Sequence, residues 1–159
     1  MPETVADIMS LTPVTIRMDT SMGEVQAIFE QHRFHHLVVL GDKGRCVGVI
    51  SDRDLFQTLS PFIGKLSERN VDLNSLNRKA HQVMSRSLVT VRSNTVLRAA
   101  ARVMLDRRIS CVPVVDANLR CLGIVTVRDI IRWSIDRMEC DANAPATGTG
   151  DTPVRQRAA

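Results

Sequence analysis

Hydrophobic positions along the chain follow two spacings, one typical of strands and one typical of helices. Short runs of β-branched residues at 14–17 and 89–92 predict strands. Downstream of each run, apolar residues fall three and then four positions apart, which predicts an amphipathic helix. These residues are Met22, Val25 and Phe29 in the first stretch, and Leu97, Ala100 and Met104 in the second.

Each stretch continues with two short apolar runs separated by turn-forming residues, which predicts a hairpin of buried strands. A hydroxyl residue, Ser51 or Thr126, then follows the second run and predicts the start of another helix. Each stretch is therefore predicted to fold as β-α-β-β-α. The apolar runs are 37–40 and 46–50 in the first stretch, and 112–115 and 121–125 in the second.

The two stretches are copies of one unit, related by an offset of 75 residues. Between Met9 and Asp54 the alignment has no gap, and 13 of its 46 pairs are identical. Since one unit cannot bury both faces of its sheet, we expect the copies to pack together as one α/β body with pseudo-twofold symmetry. We assign residues 1–60 to the first repeat, 61–79 to a helical linker, 80–139 to the second repeat and 140–159 to a disordered tail.

Composition excludes several classes of protein. The chain has 159 residues, 44% hydrophobic and 24% charged, as in soluble globular proteins. No stretch approaches the roughly 18 apolar residues of a membrane span. Glu3 and Asp7 argue against a signal peptide. We therefore expect a cytoplasmic protein without a membrane partner.

Charge and aromatic content bear on the kind of partner. Aromatic residues make up only 3% of the chain, which disfavours binding of single-stranded nucleic acid. The net charge of +4 suits an anionic partner without specifying one. The four cysteines show no C-x-x-C spacing, so we expect reduced, apolar residues rather than disulfides or zinc ligands.

The sequence contains no recognisable catalytic motif. The nucleophile elbow G-x-S-x-G, the Walker sequence and H-E-x-x-H are all missing. His32, His35 and His36 lie close in sequence, but no nearby cysteine or carboxylate completes a set of metal ligands. We therefore expect neither an enzyme nor a metal site.

The duplicated β-α-β-β-α order, with G-h-h-[ST]-x-x-D closing each hairpin (h is apolar), resembles the CBS-domain family. The matching segments are Gly48–Asp54 and Gly123–Asp129, and Cys111–Asp116 resembles the family's second strand. Val38 stands where the family often has proline. The resemblance covers residues 5–60 and 80–136.

This resemblance implies a CBS-pair module that senses a ligand and performs no catalysis. Such modules have two symmetry-related clefts that bind adenine nucleotides (AMP, ADP or ATP) or related adenosyl ligands without needing a metal. They associate as disc-like homodimers, and apolar positions such as Ile131 and Ile135 on the last helix favour a dimer here. The regulated protein would be another, unidentified polypeptide, or the chain itself as an oligomer.

Each repeat carries a hydroxyl residue followed three positions later by aspartate. Ser51 and Asp54 form the first pair, and Thr126 and Asp129 form the second. One interpretation is a capping box, which satisfies free backbone N–H groups at a helix start. The other is ligand binding, because a helix start attracts phosphate and an aspartate can accept both hydroxyls of a ribose. The two roles can coexist.

The resemblance assigns further residues to the two clefts. It implies that arginines contact phosphate, that the residues leading into the second strand line the cleft, and that a valine lies against adenine. Surface charge and core packing are the alternative roles. One cleft would combine Val14, His35 and His36 with Thr126, Arg128 and Asp129. The other would combine Val89, Ser110 and Cys111 with Ser51, Arg53 and Asp54.

The two clefts are expected to differ, because only the first has histidines. An ordinary histidine pKa near 6.5 predicts that this cleft binds polyphosphates more tightly as the pH falls from about 8 to 6. Three functions remain open. The first is a nucleotide-sensing regulatory module, the second a ligand-free dimerisation scaffold, and the third a nucleic-acid-binding module, which the absence of a reading-helix motif disfavours.

Overall fold

The computed structural model describes residues 3–32, 34–60, 63 and 70–142. Two short 3-10 helices, Val5–Asp7 and Asp42–Gly44, accompany the regular elements. The first repeat and the linker contain β1 Thr15–Arg17, α1 Met22–Gln31, β2 His36–Leu40, β3 Cys46–Ser51, α2 Asp52–Thr58 and α3 Asn70–Asn77. The second repeat contains α4 Ala80–Val83, α5 Leu97–Arg107, β4 Cys111–Val115, β5 Cys121–Thr126 and α6 Val127–Ala142.

The first repeat forms a three-stranded sheet in the order β1-β2-β3. β1 runs parallel to β2, with Thr15 opposite Val38. β2 and β3 form an antiparallel hairpin in which His36 lies opposite Ser51. Helix α1 begins with a capping box, because the Glu24 N–H donates to the Ser21 hydroxyl oxygen over 3.3 Å and the Ser21 N–H donates to the Glu24 carboxylate over 2.7 Å. The predicted β-α-β-β-α order is confirmed here.

The second repeat has the same hairpin but lacks the first strand. β4 and β5 pair antiparallel, with Cys111 opposite Thr126. The strand predicted at 89–92 is wrong, since in this described segment only Val91 bridges to β4, at Val114. In the first repeat Val38 donates its backbone N–H to Val14 over 3.3 Å. Pro113 occupies the equivalent position and has no N–H to donate, so the edge strand does not extend.

The core consists of three apolar clusters. Among the described residues, two clusters each surround one hairpin and include one residue of the other repeat, Ala80 in the first and Val5 in the second, and the third lies where the repeats meet. The first contains Ile16, Met22, Val25, Leu37, Val39, Ile50, Leu55 and Ala80. The second contains Val5, Val91, Ala100, Met104, Val112, Val114 and Val125. The third contains Val38, Cys46, Cys111, Val115 and Ile124.

Each repeat also binds the N-terminal segment of the other repeat. Ser10 exchanges two backbone hydrogen bonds of 3.0 Å with Ile124 on β5. Ser85 forms the equivalent bridge to Val49 on β3, donating its N–H over 3.0 Å. This reciprocal exchange follows the predicted pseudo-twofold symmetry and holds the repeats together as one module.

The exchange explains the glycine of each G-h-h-[ST]-x-x-D motif. A Cβ at Gly123 would lie 2.6 Å from the carbonyl oxygen of Ser10. A Cβ at Gly48 would lie 2.9 Å from the carbonyl oxygen of Ser85 and 2.6 Å from the sulfur of Met84. Real Cβ contacts are longer, so only glycine lets the crossing segment approach this closely.

The linker and the tail fall partly outside the described residues. Helix α3 covers residues 70–77 of the predicted helical linker, while 61–62 and 64–69 are not described. Helix α6 continues to Ala142, three residues into the stretch expected to be disordered. Residues 139–142 contain no glycine or proline to interrupt the helix. Residues 143–159 lie outside the described part of the chain.

Candidate functional site

An open cavity of about 1060 Å³ lies where the two hairpins face each other, at the starts of helices α2 and α6. All twelve residues proposed from the sequence line this cavity. They are Val14, His35, His36, Ser51, Arg53, Asp54, Val89, Ser110, Cys111, Thr126, Arg128 and Asp129. The fold therefore brings residues 75 positions apart to one place.

Both hydroxyl–aspartate pairs form capping boxes at the cavity wall. The Ser51 hydroxyl donates to Asp54 Oδ2 over 2.7 Å, and the Ser51 backbone N–H donates to the same oxygen over 2.8 Å. Thr126 makes the same two contacts with Asp129 Oδ2, at 2.7 and 2.8 Å. The capping interpretation is thus confirmed for both helices. Since the capping contacts use Oδ2, they leave Oδ1 of each carboxylate to accept from another donor.

His35 pairs with a carboxylate that the sequence reasoning missed. Its Nδ1 lies 2.7 Å from Oδ2 of Asp52, the first residue of α2. Burial acts to raise the pKa of Asp52, but the hydrogen bonds from His35 and the Arg53 backbone outweigh it, so this pKa lies below its ordinary value. The signal was available, because the aligned residue in the second repeat is the apolar Val127.

His36 connects the two predicted clefts. Its Nε2 lies 2.8 Å from the hydroxyl oxygen of Ser110, which the sequence had assigned to the other cleft. The two sets of residues therefore meet in one continuous cavity. Burial lowers the pKa of His36, and the negative charges of Asp52 and Asp54 offset only part of this effect. His36 thus stays neutral to a lower pH than the sequence analysis expected, because that expectation assumed an ordinary histidine pKa.

Three arginines line the cavity and are exposed. Arg53 and Arg128 occupy the second position of α2 and α6, next to the two capping aspartates. Arg108 ends helix α5 in a left-handed conformation, with φ of 54°. Sequence reasoning identified Arg108 as part of the repeat, since Arg33 aligns with it, but did not assign it to the site.

The remaining predicted residues form apolar and small polar parts of the wall. Val14 and Val89 precede β1 and its missing counterpart, and both line the cavity. Cys111 is buried, and this burial raises the pKa of its thiol to about 12. Ser110 is exposed beside it. The valines offer flat apolar surface suited to a planar ring, while the serine offers a hydroxyl.

The charges of the cavity suit a ligand that carries both hydroxyl groups and negative charge. Carboxylate oxygens at the helix starts can accept from sugar hydroxyls. Arginine guanidinium groups at the same helix starts favour an anion such as phosphate. Within residues 3–32, 34–60, 63 and 70–142, no group of three or more His, Cys, Asp and Glu side chains is arranged to hold a metal ion.

None of the described helices is long and apolar enough to span a bilayer.

His32, considered above as a metal ligand, instead stacks on Phe34 with ring centres 5.2 Å apart.

Comparisons with known proteins agree with this architecture. The model of the CBS domain matches residues 5–61 and 80–136. An L-aspartate semialdehyde sulfurtransferase of Methanocaldococcus jannaschii is 31% identical over 129 residues, which make up 80% of this chain but only 22% of that protein. This chain therefore corresponds to a small part of that relative.

Two solved structures resemble nearly the whole described fold. The CBS domain pair of protein MJ0100, in complex with 5′-methylthioadenosine and S-adenosyl-L-methionine, has a TM-score of 0.72 at 28% identity and covers 86% of this chain and 99% of its own. CBSX2 in complex with AMP, a protein of Arabidopsis thaliana, has a TM-score of 0.70 at 26% identity and covers 85% and 98%. With the duplicated hairpins and their G-h-h-[ST]-x-x-D motifs, these matches show that the chain is a tandem pair of CBS domains and belongs to the CBS-domain family.

Proposed function

We propose that this chain is a regulatory module that binds an adenine nucleotide, of the AMP, ADP or ATP type, in the cavity between its repeats. The observation that carries the proposal is the pair of hydroxyl–aspartate helix starts that face one cavity from both repeats. Structures of related CBS pairs hold 5′-methylthioadenosine, S-adenosyl-L-methionine and AMP, which share an adenosyl group.

Each part of the nucleotide has a counterpart in the cavity. Asp54 and Asp129 would accept ribose hydroxyls at Oδ1 while Oδ2 continues to cap the helix. Arg53 and Arg128 would pair with phosphate oxygens, which a planar guanidinium contacts two at a time. Val14 and Val89 would pack against the adenine ring. His35, His36, Ser110 and Cys111 would complete the walls.

Regulation would follow from the position of the cavity between the repeats. A ligand that contacts both hairpins stabilises the arrangement in which they are close, and a separate partner protein would bind that arrangement preferentially. The module itself would perform no catalysis.

A titration with defined variants tests the proposal. Calorimetry with AMP, ADP, ATP and S-adenosyl-L-methionine should give saturable binding of at least one of them to the intact chain. Asp54→Ala or Asp129→Ala should weaken that binding by about 1.5–3 kcal/mol, or roughly 10- to 100-fold, because a charged hydrogen bond to the ligand is lost.

The chain supplies its own matched control for the capping role. Asp7 caps the short helix after Thr4 through the same kind of contact, with the Thr4 backbone N–H donating to its Oδ2 over 2.6 Å, and it does not line the cavity. Asp7→Ala should lower stability slightly and leave affinity unchanged. If Asp54→Ala and Asp129→Ala behave like Asp7→Ala, the carboxylates only cap helices and the chain is a ligand-free scaffold.

We also propose that the module is a homodimer. Phe56 on α2, Leu105 on α5 and Met138 on α6 are 75%, 71% and 65% exposed, and Ile131 and Ile135 on α6 are about half exposed. Ile131, Ile135 and Met138 are four and three positions apart and so share one face of α6, and an exposed apolar helix face is typical of an interaction surface. Light scattering at micromolar concentration should give twice the mass of 17.7 kDa. A purely monomeric species would exclude the dimer without affecting the ligand proposal.

A further inference from the structure

Two cysteines of the chain occupy equivalent positions in the two repeats. Cys46 is the first residue of β3 and Cys121 is the first residue of β5. Both lie at the turn ends of their hairpins, and neither lines the cavity, which is at the opposite ends. Their chemistry is therefore separate from the proposed nucleotide site.

The backbones of the two hairpins meet where these cysteines lie. Arg45 and Arg120, the preceding residues, form an antiparallel bridge. The Cys46 N–H donates to the carbonyl oxygen of Leu119 over 2.9 Å. Cys46 and Cys121 therefore sit beside a contact that joins the first repeat to the second.

The side chains of both cysteines belong to the apolar cluster between the repeats. Cys46 is 5% exposed within it, and the half-buried Cys121 packs against it. The two thiols are neighbours in this cluster, and the Cys121 thiol donates its own hydrogen to the carbonyl oxygen of Gly123 over 3.5 Å, which leaves its sulfur to accept from Cys46. Cys121 is thus the more accessible sulfur and Cys46 the protected one.

This interaction makes the two sulfurs chemically unequal. The hydrogen bond from Cys46 lowers the pKa of the Cys121 thiol against the opposing effect of burial. The same bond, together with burial, raises the pKa of Cys46. Because the thiolate is the form that peroxide oxidises, Cys121 is the member of the pair suited to react first.

We propose that Cys121 and Cys46 are a peroxide-sensitive modification site that forms a disulfide between the two repeats. The Cys121 thiolate attacks one oxygen of hydrogen peroxide, the O–O bond breaks, and Cys121 becomes a sulfenic acid while hydroxide leaves. The Cys46 sulfur then attacks the Cys121 sulfur, forming the S–S bond and expelling the sulfenic hydroxyl as water. In total, two thiols and one hydrogen peroxide give one disulfide and two waters.

The consequence would be a covalent link between segments 75 residues apart. Such a link stabilises a protein mainly by restricting the unfolded chain, and more strongly for a long loop. The oxidised protein should therefore melt at a higher temperature than the reduced protein, by about 10 °C for a loop of this size.

The test uses the full chain with Cys140→Ser, which removes an exposed thiol that could link two molecules. The reduced protein is treated with a small excess of hydrogen peroxide and analysed by non-reducing mass spectrometry. The expected product is lighter by two hydrogens, and its peptide map joins the peptides of Cys46 and Cys121. Dithiothreitol should reverse the change.

Three variants in the same background separate the roles of the sulfurs. Cys46→Ser should leave a sulfenic acid on Cys121 that dimedone traps. Cys121→Ser should give neither the disulfide nor a dimedone adduct. Cys111→Ser, which changes a buried thiol of the same cluster, should still form the disulfide.

Several results would overturn the proposal. These are no loss of hydrogens in the folded protein, a disulfide that uses Cys111 instead, or dimedone labelling on Cys46 rather than Cys121. If a cysteine variant fails to fold, the peptide map and the melting shift of the protein with both cysteines still decide the question. Neither measurement depends on nucleotide binding.

Discussion

The two repeats differ most at the ends of their hairpins that face the cavity. In the first repeat, His35 pairs with Asp52 and a third strand borders the sheet. In the second repeat, the equivalent residues are Ser110 and Val127, and the third strand is missing. The helix-start aspartates, Asp54 and Asp129, make the same contacts in both.

This comparison separates what the fold requires from what can vary. The hydroxyl–aspartate caps and the motif glycines are the same in both repeats because each fixes the start of a helix or the crossing of a segment. The histidines and the edge strand occur in one repeat only, so the fold does not need them. A difference in ligand preference between the two sides of the cavity would have to come from these unequal residues.

The largest effect is expected from the motif glycines, which test the equivalence of the repeats. Gly123→Ala forces a Cβ to within 2.6 Å of the Ser10 carbonyl oxygen, and Gly48→Ala forces one to within 2.9 Å of the Ser85 oxygen. Each should lower the free energy of unfolding by about 1–3 kcal/mol, with Gly123→Ala the more damaging because its closest contact is rigid backbone. Urea denaturation measures both. Gly23→Ala, at a position without positive φ where the nearest atoms lie 3.7 Å from the new Cβ, controls for the change of backbone preference alone.

A smaller effect is expected at the residue that decides whether the edge strand forms. Val38→Pro removes the N–H that donates to Val14 and should cost about 1 kcal/mol, the value of one hydrogen bond, since the second repeat tolerates proline there. The reverse change, Pro113→Val, restores a donor opposite Val89. Amide exchange of the new N–H should show protection if strand pairing extends. Rapid exchange of that N–H would mean that proline is not what prevents the strand.

The ion pair of the first repeat is expected to contribute less. Asp52→Val copies the residue of the second repeat and breaks the contact with His35, whose side chain is 54% exposed while that of Asp52 is 37% exposed. Exposed pairs of this kind contribute under about 1 kcal/mol. Because the folded pKa of Asp52 lies below its unfolded value, its contribution is present above about pH 4 and lost as the pH falls through the folded pKa. The gap in stability between wild type and Asp52→Val should therefore close in acid, as measured by urea denaturation at pH 7 and pH 3.

Much of this fold could be predicted from the sequence because the repeat unit occurs twice in the chain. The 75-residue offset gave both hairpins, four of the helices and the residues that meet in the cavity. The strand at 89–92 was wrong because its β-branched pattern matches that of 14–17, while its partner strand carries Pro113, which removes a hydrogen-bond donor. The local pattern at 89–92 does not show whether the partner strand can donate a hydrogen bond.

Two contacts of the site were not predicted, because each joins residues that are distant in the sequence. Asp52 lies within the motif but was not predicted as a site residue. Its partner, His35, is 17 positions away and contacts it only because of the hairpin register. The contact between His36 and Ser110 depends on how the repeats pack, which no pattern within one repeat specifies. Both contacts are products of the tertiary structure.

The smallest effect concerns His36, where the two halves of the cavity meet. Burial holds its folded pKa below the 6.5 of an unfolded chain, with Asp52 and Asp54 acting against the shift and His35 acting with it. Between the folded pKa and 6.5 the unfolded chain binds more protons, so acidification favours unfolding. The stability contribution is complete above pH 6.5 and is lost as the pH falls through the folded pKa.

The wild type should therefore lose stability between about pH 7.5 and pH 5. His36→Gln should lose less over the same range, because glutamine can still bond to Ser110 but does not titrate. Urea denaturation at the two pH values measures this difference, and His81→Gln, a change outside the cavity, controls for the loss of a histidine. Equal pH dependence in His36→Gln and the wild type would mean that burial does not shift His36. Anionic ligands should then bind more tightly near neutral pH, as the sequence alone predicted. If the shift holds, that tightening should appear only at lower pH, where His36 gains its proton.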